Sequence, residues 1–283
     1  IGGVAGDALT TASDNVAVGY GALTTEDDGG RNTAIGMNAL STLNAGADGN
    51  NVAVGYTAGA LMSTGVENTI IGSHAGDAIT IGNQNVALGY ASLGANVAAD
   101  RNVAVGHSAL SNMTSATTTD RYNTAVGFYA GQAITSASDN TILGGLAGDA
   151  LTTGGQNIAI GRSALSTEVE GSRNVAIGHQ ALKDLNTDSA AYNTAIGYNA
   201  GTLVTTGVDN VLIGGLAGDA LTTGNYNIAI GKSALSTEDG HGRNIAIGWQ
   251  ALKDLNAGTD AYNVAIGHDA GKYVSTGVRN TLI

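Results

Sequence analysis

The stretch from Asn15 to Ala22 reads N-V-A-V-G-Y-G-A, in which Asn opens a short apolar segment, Gly closes it and Ala follows three residues later. The pattern recurs along the whole chain, with its Asn at 15, 32, 51, 68, 85, 102, 123, 140, 157, 174, 193, 210, 227, 244, 263 and 280. Most steps are 17 residues. A short fixed period is typical of a solenoid, whose repeats pack only on their neighbours. The sequence therefore predicts an all-β parallel β-solenoid (β-roll) of about sixteen coils.

Each coil is numbered from its Asn as position 1. Position 4 is always Ile, Val or Leu, and position 2 is usually Val, Thr or Ile. Because side chains alternate along a strand, we expect positions 2 and 4 to face the core and position 3, mostly Ala, to face outward. Position 5 is Gly, as a turn with positive φ requires, and position 8 is almost always Ala, which indicates a tight inner corner. The structural ladder and turn residues are exemplified by Asn15, Gly19, Asn157, Gly161, Asn227 and Gly231.

A longer repeat of four coils is superimposed on this pattern. Position 9 is Leu in some coils and Gly in others, and the Gly coils carry an aliphatic residue at position 12, such as Leu151. Each coil therefore supplies one large apolar side chain to its interior, which we call the apolar plug. The sets lie at roughly 1–67, 68–139, 140–209 and 210–279, within one predicted domain, 1–283. Extra residues always fall in the third coil of a set. They form loops at 41–50, 111–122, 183–192 and 253–262, which we expect to project from one side.

Strands of the V-A-I type are apolar at positions 2, 3 and 4 alike. Strands that are buried on both faces have this composition. A single solenoid would expose position 3 to water, so we expect this face to pack on further copies of the chain. The small size of Ala suits close approach near a symmetry axis, and the prediction is an intertwined homotrimer.

The composition excludes several classes of function. The net charge is −12 with only 11 basic residues, which argues against nucleic acid as a partner. No apolar run approaches the length of a membrane helix, so no membrane insertion is expected. There is no Cys, no Gly-rich phosphate loop and no recurring Ser, His and Asp set. We therefore expect no enzyme activity, no catalytic residue, no cofactor and no metal site.

Two groups of side chains are candidates for contacts. Acidic residues precede Arg in the second coil of each set, as in Glu168 with Arg173 and Glu238 with Arg243. These are either exposed pairs worth under about 1 kcal/mol or ion pairs between chains that fix their register. Exposed aromatic rings could stack on sugars, or pack at an interface. The candidates for surface binding are Tyr122, Tyr192, Tyr262 and Trp249.

The motif N-[TV]-A-[IV]-G-x-x-A, as at Asn15–Ala22, Asn193–Ala200 and Asn263–Ala270, resembles the head repeats of trimeric autotransporter adhesins. It is even more similar to the Asn-Thr-Ala-Ile-Gly-Tyr repeats of phage tail-fibre shafts. The resemblance covers the full chain. It implies a parallel β-roll, left-handed in the adhesin heads, with three chains intertwined. The coils here are longer than those of the adhesin heads.

Two functions of different class follow as hypotheses. The first is a structural fibre shaft or adhesin, located outside the cell, on its surface or on a virion, which presents or spaces an attachment function. Glycans could contact its third-coil loops, and because the chain begins and ends at the same coil position we expect end-to-end continuation of the fibre. The alternative is an ice-binding or self-assembling filament, suggested by pairs such as Thr152–Thr153 and Thr222–Thr223.

Overall fold

A computed structural model describes all 283 residues, and their contacts divide into two units, Ile1–Asp139 and Asn140–Ile283. Each unit is described by itself. Neither contains a helix, and each is built from short parallel strands separated by turns. The two units together contain about sixteen coils, so the predicted all-β parallel β-solenoid is confirmed. The single domain 1–283 stays a prediction.

The strands are mostly three residues long, and each coil contributes one to the main sheet of its unit. In the first unit the strands are β1 (Val16–Val18), β2 (Thr33–Ile35), β3 (Val52–Val54), β4 (Thr69–Ile71), β5 (Val86–Leu88), β6 (Ala99–Asp100), β7 (Val103–Val105), β8 (Thr119–Asp120) and β9 (Thr124–Val126). In the second unit they are β10 (Thr141–Leu143), β11 (Ile158–Ile160), β12 (Val175–Ile177), β13 (Thr194–Ile196), β14 (Val211–Ile213), β15 (Ile228–Ile230), β16 (Ile245–Ile247), β17 (Val264–Ile266) and β18 (Thr281–Leu282).

Neighbouring strands pair in strict register, so equal coil positions lie side by side. Between β11 and β12, for example, Ala159 lies opposite Ala176 and Ile160 opposite Ile177. Only β6 and β8 leave the main sheet, and they pair with each other. Because parallel strands are spaced by about 4.8 Å, each coil position forms a column of side chains along its unit.

The predicted direction of the strand faces is wrong. The column at position 3 is fully buried from Ala34 to Ala265, whereas Ile158 at position 2 is 36% exposed and Leu143 at position 4 is 46% exposed. Position 3 therefore faces the core, and positions 2 and 4 face outward. The physical reason is the narrow interior: Ala at positions 3 and 8 leaves room for one larger plug from the opposite wall. The outward-facing Ala from which the trimer was predicted does not exist.

The predicted apolar plug is confirmed. Leu165 at position 9 is fully buried in its coil, and in the Gly coils the buried residue is at position 12, as with Leu151 and Leu221. Larger residues at position 3 complete the filling. A Cβ added at Gly148 would lie 3.4 Å from Ile142 and 2.9 Å from Leu151, so Gly at position 9 makes room for these two side chains. Total core volume is conserved between the two kinds of coil, as close packing demands.

Each coil turns through four residues with positive φ. Position 5 is Gly, and positions 7, 9 and the last residue of the coil are left-handed in every complete coil, whichever residue occupies them. Ser163, Leu165 and Arg173 are examples, with φ of 54°, 53° and 62°. A non-glycine residue in this conformation costs about 1–2 kcal/mol. Contacts with the neighbouring coils must offset that cost.

Gly161 illustrates the steric constraint at position 5. Its φ is +127°, and an added Cβ would approach the carbonyl oxygen of Gly178 in the next coil to 2.5 Å. We therefore expect Gly161→Val to destabilise the protein strongly, because both the conformation and the space exclude a branched side chain. Val175→Thr, at the half-exposed position 2, is the control and should cost far less. Chemical denaturation measures both, and equal unfolding free energies would contradict the assignment of this turn.

Candidate functional site

The asparagines at position 1 form a continuous hydrogen-bonded column inside each unit. Asn157 Oδ1 accepts from the backbone N–H of Asn174 at 2.9 Å, and its Nδ2 donates to the carbonyl of Gly171 at 2.9 Å. Asn227 repeats the arrangement with the N–H of Asn244 at 3.1 Å and the carbonyl of His241 at 3.2 Å. Asn15 makes the same two bonds in the first unit. One amide thus joins the start of a strand to the end of the same coil and to the next coil.

The outer face of the sheet exposes many aliphatic side chains. Position 4 forms a column of Ile, Val and Leu, and position 2 forms a parallel column of Val, Ile and Thr. The exposed members include Val16, Ile35, Leu88, Leu143, Ile158 and Ile266, with exposures between 36% and 46%. Position 6, which follows the turn glycine, adds exposed rings beside these columns. A contiguous apolar patch of this kind is typical of an interaction surface.

The arginines at the ends of second coils lie in contact with the tyrosines that end the third-coil loops. Arg173 donates to the hydroxyl of Tyr192 at 2.7 Å, and its guanidinium lies 5.5 Å from the ring centroid. Arg243 lies between Tyr226 and Tyr262 and forms an ion pair with Asp260. Such contacts of a cation with an aromatic face contribute about 0.5–1 kcal/mol at exposed sites. The predicted binding tyrosines are therefore already engaged by arginines of their own chain.

Tyr122 has the same surroundings in the first unit. Its hydroxyl accepts from Arg101 at 2.9 Å and donates to Asp120 at 3.0 Å, while half of its surface is exposed. The bond with Tyr122, followed by the charge of Asp120, raises the pKa of Arg101. The remaining ring, Trp249, stacks on His268 with centroids 4.6 Å apart. It lies at position 6, so the four predicted aromatic residues do not form one site.

Glu168 and Glu238 do not contact the arginines with which they were expected to pair. Both carboxylates are fully buried at position 12. Glu168 accepts from the N–H of Gly171 at 2.8 Å and from the N–H of Thr187, in the third-coil loop, at 3.1 Å. Glu238 bonds the N–H of Ala257 in the same way. These glutamates hold the inserted loops against the coil. This role was not predicted from the sequence. A signal for it exists, because Glu at position 12 occurs only in coils that directly precede an inserted third coil.

One cluster has the residue types of a metal site. Ligand atoms of Glu238, Asp239 and His241 lie within 4.8 Å of one another. Glu238 already accepts from the backbone N–H of His241 and from Ala257, and its Oε1 lies 3.2 Å from the His241 Nδ1. Burial raises the pKa of Glu238 above its usual value, against the effect of these hydrogen bonds. The carboxylate is therefore used to fix the loop.

Comparison with family models, with curated proteins and with solved structures gives no match. The chain also forms no helix of the length and apolar character needed to cross a lipid bilayer.

Asp149 gives a prediction of pH dependence. Burial raises its pKa, and its Oδ1 accepts no hydrogen bond. Because the folded state holds the proton more tightly than the unfolded chain, this residue favours folding at low pH and opposes it as pH rises through the folded pKa. We expect Asp149→Asn to raise the melting temperature at pH 7, with the gain lost below about pH 4. The exposed Asp188→Asn is the control, and a gain that is equal at all pH values would contradict the argument.

Proposed function

We propose that this protein is a structural fibre shaft or adhesin-type rod, exposed outside the cell, on a cell surface or on a virion, and assembled as a homotrimer. The observation that carries the proposal is the outward-facing sheet surface of both units, with Ile, Val or Leu at position 4 of every coil and Val, Ile or Thr at position 2. Water-exposed strands normally place polar residues on that face. The repeat resemblance adds the trimeric state and the location.

A second copy of the chain is the partner that best fits this face. Its geometry repeats with the coil, so a second copy carries a matching surface with the same spacing, as a symmetric assembly requires. The charged residues that give the net charge of −12 lie outside the strands of the main sheet. Three chains that bury these columns against one another would form a dry interface between parallel sheets. We expect the third-coil loops to remain outside this interface.

The alternative of an ice-binding filament rests on the Thr pairs, and the surroundings of these pairs weigh against it. The hydroxyl of Thr152 donates to the carbonyl of Val169 at 3.1 Å, and that of Thr222 donates to Asp239 at 2.7 Å. The first Thr of each pair is therefore used to join neighbouring coils. A thermal-hysteresis assay separates the two functions, because a fibre shaft has no effect on ice growth.

The trimer is tested by native mass spectrometry of the full chain. We expect the parent protein at three chain masses and the triple variant Leu143→Glu, Ile158→Glu, Ile266→Glu at one, since three charges would then be buried between chains. The control carries Glu at three exposed threonines elsewhere on the coil, Thr153, Thr167 and Thr237, and should keep the parent mass. Circular dichroism checks that both variants are folded. A monomeric parent, or a folded face variant that still forms trimers, would refute the proposal.

A further inference from the structure

A surface cleft lies between two coils of the first unit. It has a volume of about 270 Å³ and is lined by positions 7, 10 and 11 of the coils that begin at Asn51 and Asn68. The lining residues are Thr57, Ala60, Leu61, His74, Asp77 and Ala78. Its apolar wall is provided by Leu61, which is 55% exposed, and by the two alanines.

The polar groups of the cleft converge on one side. The hydroxyl of Thr57 lies 3.0 Å from His74 Nδ1, and the same nitrogen lies 3.2 Å from the carboxylate of Asp77. One ring nitrogen therefore contacts both groups. The ring of Tyr56, at position 6, lies edge-on to the His74 ring with centroids 5.2 Å apart, and 46% of its surface is exposed. An apolar wall with a few convergent polar groups is the usual composition of a small-ligand site.

The same positions recur in the second unit, two four-coil sets further along the chain. They carry Asn199, Thr202, Leu203, Leu216, Asp219 and Ala220. Leu203 is again exposed, at 46%, and Tyr198 again stands at position 6, at 58%. Here Asn199 Oδ1 and Asp219 Oδ1 are both shielded from solvent and accept no hydrogen bond. Burial also raises the pKa of Asp219, against the effect of a hydrogen bond from its own backbone.

We propose that the cleft of the first unit, and the equivalent corner of the second, binds a saccharide unit, with one face of the sugar ring on the exposed Leu and its hydroxyls on the Asp and its neighbours. A pyranose ring combines an apolar face with several hydroxyl donors, which matches one apolar wall and a set of carboxylate and amide acceptors. The exposed Tyr at position 6 provides a further flat apolar surface at the edge of each proposed site.

The choice of a glycan as ligand rests on the proposed attachment function, although the site differs from the third-coil loops to which glycan contact was first assigned. The loop tyrosines are engaged by arginines, as with Arg173 and Tyr192, whereas Asn199 Oδ1 and Asp219 Oδ1 at the corner of the second unit accept no hydrogen bond. The cleft of the first unit and these unused acceptors of the second thus favour the corner of the coil over the loops.

The test is binding of the full chain to an array of neutral and acidic oligosaccharides. The cleft variant carries Leu61→Arg and Leu203→Arg, which place a long charged side chain in the cleft of the first unit and at the equivalent exposed position of the second. We expect it to bind the selected oligosaccharide about tenfold more weakly or worse than the parent. The control carries Thr167→Arg and Thr237→Arg at the same coil position in other coils, and it should bind as the parent does.

Three results would overturn the proposal: no binding to any oligosaccharide on the array, equal loss in both Arg variants, or retention of binding in the cleft variant. A fourth is calcium binding in calorimetry without sugar that is lost in Asp77→Asn with Asp219→Asn, since the proposed sites would then be cation sites. Native mass, measured on the same samples, reports separately on the fibre. If the protein is a trimer that binds no sugar, only the proposed saccharide site is rejected. If it is a monomer that binds sugar, only the proposed fibre shaft is rejected.

Discussion

The asparagine column is the interaction on which both units depend. Each buried side chain, such as Asn157, satisfies one backbone N–H of the next coil and one carbonyl at the end of its own coil. Strands of three residues form few hydrogen bonds between strands, so most backbone N–H and C=O groups lie in turns and need partners outside the sheet. A buried polar group without a partner costs about 1–3 kcal/mol. The amide at position 1 removes two such costs per coil. It also fixes the register in which each coil stacks on its neighbour.

Register follows from this column, and the surfaces follow from register. Because equal positions stack, any residue type that recurs in the sequence becomes a continuous stripe in space. The aliphatic residues at positions 2 and 4 become the face proposed for assembly, and the last residues of the coils bring Arg243 between Tyr226 and Tyr262. Insertions leave the stripes intact since the buried Glu168 and Glu238 hold the additional loops against the coil.

The coil period, the turn at Gly161 and the exchange of plugs between positions 9 and 12 could all be predicted from the sequence, because each depends on local constraints that repeat sixteen times. The direction of the strand faces could not. A three-residue strand places one side chain on one face and two on the other, and alternation alone does not say which face is inside. The sequence is equally compatible with Ala159 as a small residue that faces outward and with Ala159 as a residue that fills a narrow core. The cleft at Thr57 and His74 was also beyond sequence reasoning, since it joins positions from two coils whose relative placement only the fold provides.

The left-handed residues at positions 7, 9 and the coil end have a consequence for cooperativity. Each coil contains two or three such residues that are not glycine, at about 1–2 kcal/mol each, so an isolated coil is intrinsically unfavourable. Its free energy becomes favourable only through the interfaces with the coils on either side. In the nearest-neighbour description of linear repeats, many adjacent repeats unfold together in one cooperative transition when each repeat is unstable alone and the interfaces between repeats are strong. A solenoid built in this way resists fraying, and it admits no stable fragment of one or two coils.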